Sequence, residues 1–204
     1  MPDPLNLIIT GVGGQGSLLA SQVLGQLLVD QGLVVTIGET LGLSQRGGTV
    51  VSQLRISATD EHAPVIPEGR GHLIVALEPV EGLRALARFG NPEIDLLMNT
   101  RPVYPLGVLA GEETYPGREV IDGAARDLCR RLWTVDASEL ALGLGDARLA
   151  NTAMLGALFG LGLLPASAER EALREVLGRV LPAERVEQNL EAFELGAASV
   201  AATG

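Results

Sequence analysis

The sequence predicts an α/β fold with three layers, in which helices cover both faces of a mostly parallel sheet, followed by a helical C-terminal region. Short apolar runs alternate with segments whose apolar residues recur at helical spacing. The connections between them are short and rich in glycine, proline and polar residues. This alternation is typical of a parallel sheet covered on both faces, and we expect residues 1–204 to form a single domain.

The first half of the chain is predicted to contribute four strands and one helix. The apolar run 5–10 leads through a glycine turn into a helix over 17–28. A β-branched run over 33–38 predicts a second buried strand. The next strand, 49–56, alternates polar and apolar residues, which predicts a half-exposed or edge strand. Residues 72–77 form a further buried strand.

The second half continues the same pattern and then becomes helical. Pro79 stands where a helix begins, which costs little because the first N–H groups of a helix lack partners in any case. Apolar spacing in the C-terminal region indicates helices, including one stripe formed by Val186, Leu190, Phe193 and Ala197. The predicted segments are a helix over 80–88, a strand over 94–99, an irregular connection over 102–118, a helix over 120–131, a strand over 132–136 and helices over 137–198.

Composition excludes several classes of function. The formal net charge of −10 argues against binding to a nucleic-acid backbone. All 15 basic residues are arginine, so Schiff-base lysine chemistry and a P-loop lysine are absent. One cysteine, Cys129, cannot hold an iron–sulfur cluster, and His62 and His72 have no cysteine near them to make a zinc site. No secretory signal or bilayer-length apolar run is visible, so we expect a cytoplasmic protein without membrane contact.

The glycine turn after the first strand satisfies the dinucleotide-binding pattern with Gly11, Gly13 and Gly16. Glu39, at the end of the second strand, stands where a ribose-binding acid belongs. Free N–H groups at a helix start also suit phosphates. The alternative is that the glycines only permit a tight turn and close packing. A strand follows the second strand where a dinucleotide fold expects a helix, which weakens the dinucleotide hypothesis.

A second glycine-bearing loop, Ser44-Gln45-Arg46-Gly47-Gly48, follows the second strand. Its glutamine and arginine present donors that suit an anion or the carbonyl groups of a partner. A solvated turn is the competing interpretation. Both loops follow neighbouring strands, at the edge where open α/β sheets bind their ligands. The candidate binding residues are therefore Gly11, Gly13, Gly14, Gln15 and Gly16 in the first loop and Gln45, Arg46, Gly47 and Gly48 in the second; no catalytic or metal-binding residue is assigned.

Four motifs in one order resemble the gamma-type domain of 2-oxoacid:ferredoxin oxidoreductases. They are Gly11-Val12-Gly13-Gly14-Gln15-Gly16, Ser44-Gln45-Arg46-Gly47-Gly48, Asn99-Thr100-Arg101-Pro102 and Asn151-Thr152-Ala153-Met154-Leu155-Gly156. The likeness extends over nearly the whole chain, through Asn189–Gly196, and favours the indolepyruvate branch. One departure is His72, where relatives carry an acid, and we interpret it as a solvent-facing strand start.

The resemblance implies an accessory, Rossmann-like subunit that is inactive alone. The family oxidatively decarboxylates a 2-oxoacid, here an indolepyruvate or arylpyruvate, to an acyl-CoA and passes the electrons to ferredoxin. It implies a large alpha subunit that carries thiamine diphosphate, Mg²⁺ and the 4Fe-4S clusters. This chain has neither the cysteines nor the thiamine motif, since Gly145-Asp146 lacks the paired asparagines that usually follow.

Three hypotheses follow for this chain's own role. It supplies a partner-docking edge that also contacts coenzyme A, or it is a stand-alone NAD or FAD-binding protein, or it is a non-catalytic scaffold. The sequence does not decide whether the isolated chain forms a homodimer. We expect Asn99 and Asn151 to hold loops or caps. Arg101 is given the same expectation, with a role in a pocket as its alternative.

Overall fold

Six strands form one mixed sheet in the computed structural model, which describes residues 2–42 and 48–201. The strands are β1 (Leu5–Val12), β2 (Val34–Leu41), β3 (Thr49–Ser57), β4 (Leu73–Ala76), β5 (Asp95–Asn99) and β6 (Arg131–Val135). Their order across the sheet is β2-β3-β1-β4-β5-β6. β3 runs antiparallel to both of its neighbours, whereas β1, β4, β5 and β6 pair in parallel. The mostly parallel α/β fold predicted from the sequence is confirmed.

Eight helices connect and cover the strands within the described residues. They are α1 (Ser17–Asp30), α2 (Pro79–Phe89), α3 (Leu106–Leu109), α4 (Arg118–Leu128), α5 (Ala137–Gly143), α6 (Ala150–Gly160), α7 (Arg170–Val180) and α8 (Ala183–Ala201). A 3-10 turn over Ala147–Leu149 leads into α6. None of these described helices is both long and apolar enough to cross a membrane.

The two faces of the sheet bury separate cores, which makes three layers. On one face, Leu7 and Ile9 of β1 belong to the core formed with α1, α6, α7 and α8. On the other face, Ile8 of β1 packs in the core formed with α2 and α4. Because successive strand residues point to opposite faces, β1 is buried along its whole length. The predicted C-terminal stripe is confirmed for Val186, Leu190 and Phe193, which are buried, whereas Ala197 is half-buried.

Two sequence predictions about the sheet are wrong. β3 lies between β2 and β1 and is not an edge strand, and its polar Gln53 is buried because its Oε1 accepts the Ile66 N–H at 2.8 Å. His72 is half-buried instead of facing solvent. It pairs with Asn6 twice: its N–H donates to Asn6 O at 2.9 Å, and its Nδ1 accepts the Asn6 N–H at 2.9 Å. Burial, followed by the charge of Arg55, lowers the pKa of His72 and favours that neutral, accepting ring.

Candidate functional site

A cavity of about 280 Å³ opens at the carboxyl edge of the parallel strands. Residues that follow β1, β4, β5 and β6 line it, together with the start of α6. This is the edge at which open α/β sheets gather their ligands. The residues that line it include Gly14, Gln15, Leu77, Asn99, Arg101 and Asn151.

Side-chain amides fix the floor of the cavity. Gln15 Nε2 and Asn99 Nδ2 both donate to the carbonyl oxygen of Leu77, each at 3.0 Å. Asn99 Nδ2 also donates to Ser138 Oγ at 3.0 Å, which joins the end of β5 to the start of α5. These bonds tie together the ends of three neighbouring strands, so the cavity is built on rigid elements.

The glycine turn is shaped by internal contacts. Gln15 Oε1 accepts the Val12 N–H at 2.8 Å, and a Cβ on Gly11 would lie 2.7 Å from that same oxygen. Gly11 is therefore a strand residue beneath the Gln15 amide and does not line the cavity. Gly14 and Gly16 adopt left-handed φ values of 99° and 81°, which glycine tolerates best.

The two glycine-bearing loops meet at one sheet edge, as predicted, although the strands that they follow are not neighbours, because β3 lies between them. Gly13 donates its N–H to Gly48 O at 2.9 Å, just before β3 begins. Gln45, Arg46 and Gly47 lie outside the described residues. Of the nine candidate residues, Gly14 and Gln15 line the cavity, whereas Gly13, Gly16 and Gly48 make the contacts that shape the turns.

Two arginines, Arg148 and Arg101, lie at the mouth of the cavity. Arg148 is bound to Asp146, whose pKa falls to about 2 because of the hydrogen bonds and charge that Arg148 supplies. Arg101 is exposed and has no hydrogen-bond or ion-pair partner within residues 2–42 and 48–201. A guanidinium without a protein partner at a cavity mouth is suited to bind an anionic ligand.

Asn99 leaves one buried acceptor unused. The residue is 1% exposed, and its Oδ1 is buried without a hydrogen-bond partner among the described atoms. A buried amide oxygen that lacks a donor costs free energy, and this one has almost no exposed surface through which a ligand in the cavity could reach it. The cavity thus combines a floor fixed by amide hydrogen bonds with a cation at its mouth.

The sequence correctly predicted that Asn99 and Asn151 hold loops or helix ends. It left Arg101 between that role and a role in a pocket. Asn99 holds the loops after β4 and β5, and Asn151 Nδ2 donates to Gly16 O at 3.2 Å. Arg101 makes no such bond to any described residue and lines the cavity, which was its alternative expectation. Its position two residues beyond β5 was the available signal, because residues after parallel strands converge at one edge.

The geometry does not favour a dinucleotide site. In the dinucleotide-binding fold the second strand lies beside the first, which brings its acidic residue to the glycine turn. Here β3 separates β2 from β1. Glu39 is exposed, and its Oε1 accepts a weak hydrogen bond from Ser21 Oγ at 3.4 Å.

Comparisons with known proteins agree on a family. The family model described as pyruvate ferredoxin/flavodoxin oxidoreductase matches residues 6–199. A relative from Archaeoglobus fulgidus, named indolepyruvate oxidoreductase subunit IorB, is 39% identical over 194 residues, which are 94% of this chain and 93% of the relative.

Two solved structures share the fold. Pyruvate oxidoreductase subunit PORC from Thermotoga maritima aligns with a TM-score of 0.70 and 22% identity, covering 97% of each chain. The 2-oxoglutarate:ferredoxin oxidoreductase from Magnetococcus marinus, solved with 2-oxoglutarate, coenzyme A and succinyl-CoA bound, aligns with a TM-score of 0.73 and 21% identity. The alignment covers 99% of this chain and 32% of that larger chain.

Proposed function

Because the chain belongs to the pyruvate ferredoxin/flavodoxin oxidoreductase family, we propose that it is the small, accessory subunit of an indolepyruvate-type 2-oxoacid:ferredoxin oxidoreductase. Its role in that complex is to contribute a binding edge for coenzyme A and for the large subunit. The relatives that it matches along nearly their whole length support the subunit assignment. The cavity at the carboxyl edge supports the binding role.

The redox centres belong on the partner in this proposal. A 4Fe-4S cluster needs four cysteine thiolates, and this sequence has one cysteine. Burial raises the pKa of the Cys129 thiol, which further disfavours the thiolate that a metal requires. The family chemistry then requires a large subunit that supplies thiamine diphosphate, Mg²⁺ and the clusters, and that passes electrons to ferredoxin.

The single observation that carries the coenzyme A assignment is the Arg101 guanidinium at the cavity mouth, which has no partner among the described residues. Coenzyme A is long and carries its negative charge on phosphates at one end. Arg101 and the start of α1, with its partial positive charge, suit those phosphates. Arg46 of the second loop is proposed to join them.

The experiment is a kinetic comparison in the assembled complex. This chain is co-expressed with the large subunit, and the KM for coenzyme A is measured with Arg101→Ala, Arg46→Ala and Arg126→Ala. We expect Arg101→Ala and Arg46→Ala to raise that KM about tenfold, the effect of losing one charge-assisted contact. Arg126, which is exposed on α4 away from the cavity, is the matched control.

The same assay separates the proposal from its alternatives. An unchanged KM for coenzyme A in both Arg101→Ala and Arg46→Ala, in a complex that still assembles, would leave the non-catalytic scaffold as the better description. Failure of the two chains to co-purify would remove the accessory-subunit role itself. Oxidation of a 2-oxoacid by this chain alone would do the same.

A further inference from the structure

The segment between β5 and α4 presents an unusual apolar surface. We call residues 102–117 the flap; it contains the single-turn helix α3. Eleven large apolar residues are exposed in the described chain, and four of them, Val103, Tyr104, Leu106 and Leu109, fall within seven consecutive positions of the flap. Leu106 is 81% exposed and Leu109 68% exposed, and α3 has no buried residue. Clustered exposed apolar side chains typically mark interaction sites.

Buried contacts hold both ends of the flap. Glu78 is 2% exposed; its Oε1 accepts the Val103 N–H at 3.4 Å and also the Tyr115 hydroxyl. Its Oε2 accepts the Glu81 N–H at 2.9 Å and so caps α2. One carboxylate therefore fixes the entry and the exit of the flap to the body of the protein.

Aromatic and backbone contacts order the flap between those anchors. The rings of Tyr104 and Tyr115 meet edge to face with centroids 5.1 Å apart. Within α3, Leu109 N–H donates to Pro105 O at 3.0 Å, and Glu112 N–H donates to Gly107 O at 2.9 Å. Leu106 and Leu109 are thus held outward on a preformed turn, which lowers the entropy cost of binding a partner.

The apolar surface is continuous with the candidate site. Pro102 and Val103 line the cavity from the flap, and exposed Leu142 of α5 lines it as well. A partner seated on the flap would therefore also cover the mouth of the cavity. Such an arrangement would shield the ligand from water, which strengthens the electrostatic contacts made by Arg101.

The charges on the flap indicate which kind of partner can bind to it. Glu112 and Glu113 are exposed in the flap shortly after α3, and the chain as a whole carries a net charge of −10. Two copies of this chain that met through the flap would bring the same acids to one rim, where like charges repel. A different chain with an apolar pocket and a basic rim has no such penalty.

We propose that the flap is the surface through which this chain binds the large subunit, with Leu106 and Leu109 entering an apolar pocket rimmed by basic side chains. This inference rests on the proposed function, because it takes the large subunit as the partner. Leu106 and Leu109 are the central contacts, and Glu112 and Glu113 form the rim that selects the partner.

The test measures binding of the full-length chain to the purified large subunit. Leu106→Asp should weaken the Kd by at least about 30-fold, the loss typical of a central interface residue. Val65→Asp is the matched control, since Val65 is 59% exposed and its loop packs against β2 and β3, away from β5 and β6. It should change the Kd less than about twofold, and both variants should keep the wild-type melting temperature, because both side chains face solvent.

A second measurement tests the acidic rim. Glu112→Gln combined with Glu113→Gln should weaken binding at 50 mM NaCl and reduce the loss of affinity between 50 and 500 mM NaCl. An equal Kd for wild type and Leu106→Asp would overturn the flap proposal while leaving the subunit role intact. A wild-type chain that does not bind the large subunit would overturn both. Conversion of a homodimer to a monomer by Leu106→Asp, with unchanged affinity for the large subunit, would assign the flap to a second copy instead.

Discussion

Asn151 donates a hydrogen bond from its side-chain Nδ2 to the carbonyl oxygen of Gly16 at 3.2 Å. The bond joins the start of α6 to the start of α1 across 135 residues of sequence. A Cβ on Gly16 would lie 2.1 Å from the same Nδ2. Gly16 therefore serves two purposes: it adopts φ of 81°, and it leaves room for the amide that locks the glycine turn.

We expect Gly16→Ala to lower the free energy of unfolding by about 1–3 kcal/mol, because a left-handed alanine is strained and Asn151 must move. Urea denaturation measures this loss. Gly123→Ala in α4 is the matched control, since its φ is not positive and a Cβ there meets open space. That substitution should stabilise the protein by about 0.5–1 kcal/mol. Equal stability of Gly16→Ala and wild type would show that the turn relaxes freely.

Local patterns predicted most elements of the fold, because the apolar periodicity of each segment reflects the face it buries. They could not predict where β3 inserts. Its alternation of polar and apolar residues suggested an edge strand, yet Gln53 is buried because a backbone N–H from the connection after β3 satisfies it. Burial of a polar residue depends on such a partner, and a single strand's sequence does not contain that information.

The sequence predicted the sheet edge at which the candidate site lies, but it did not predict all of the residues that line the cavity. The glycine loops marked the correct sheet edge, since both follow strands whose ends meet there. Asn99 and Arg101 join Gln15 at one cavity only because β5 lies two strands from β1 in the folded sheet. Strand order is a tertiary property, so the sequence pattern alone left Arg101 between a loop role and a pocket role.

The position of Glu39 predicts that the isolated chain does not bind a dinucleotide. β3 separates Glu39 from the glycine turn, so the ribose contact of a dinucleotide-binding fold has no counterpart here. We expect no saturable binding when the isolated chain is titrated with NADH up to about 100 μM, followed by NADH fluorescence. Saturable micromolar binding that Glu39→Ala weakens would reinstate the stand-alone dinucleotide hypothesis.

Asp95 is expected to stabilise the protein only above acidic pH. Burial raises its pKa, but hydrogen bonds from Arg131 and Arg130 outweigh burial and hold that pKa below its ordinary value. A lowered folded-state pKa means that the contribution is present above the unfolded pKa of about 4 and is lost as the pH falls. Asp95→Asn should therefore lower the free energy of unfolding by about 2 kcal/mol at pH 7 and by less near pH 2.

The control for Asp95 is its neighbour Glu93. Its carboxylate lies 3.4 Å from Arg130 but is 78% exposed, so Glu93→Gln should leave the unfolding free energy nearly unchanged at both pH values. Urea denaturation at several pH values measures both variants, because urea is uncharged and does not screen the ion pairs. A pH-independent loss in Asp95→Asn would mean that packing, and not its charge, accounts for the effect.

Tyr115 is expected to make the protein sensitive to alkaline pH. Burial, followed by the hydrogen bond and charge of Glu78, raises its pKa far above the ordinary value of 10.0. Above pH 10 the unfolded tyrosine releases its proton while the folded one keeps it, so the folded state binds more protons and the free energy of unfolding falls as the pH rises. Urea midpoints between pH 8 and 11.5 should therefore drop more steeply for wild type than for Tyr115→Phe.

At pH 8 Tyr115→Phe should be less stable than wild type by about 1–3 kcal/mol, because Glu78 loses a buried donor. Tyr104→Phe, at an exposed ring, serves as the control. Parallel alkaline curves for wild type and Tyr115→Phe would show that the hydroxyl does not anchor the flap to Glu78.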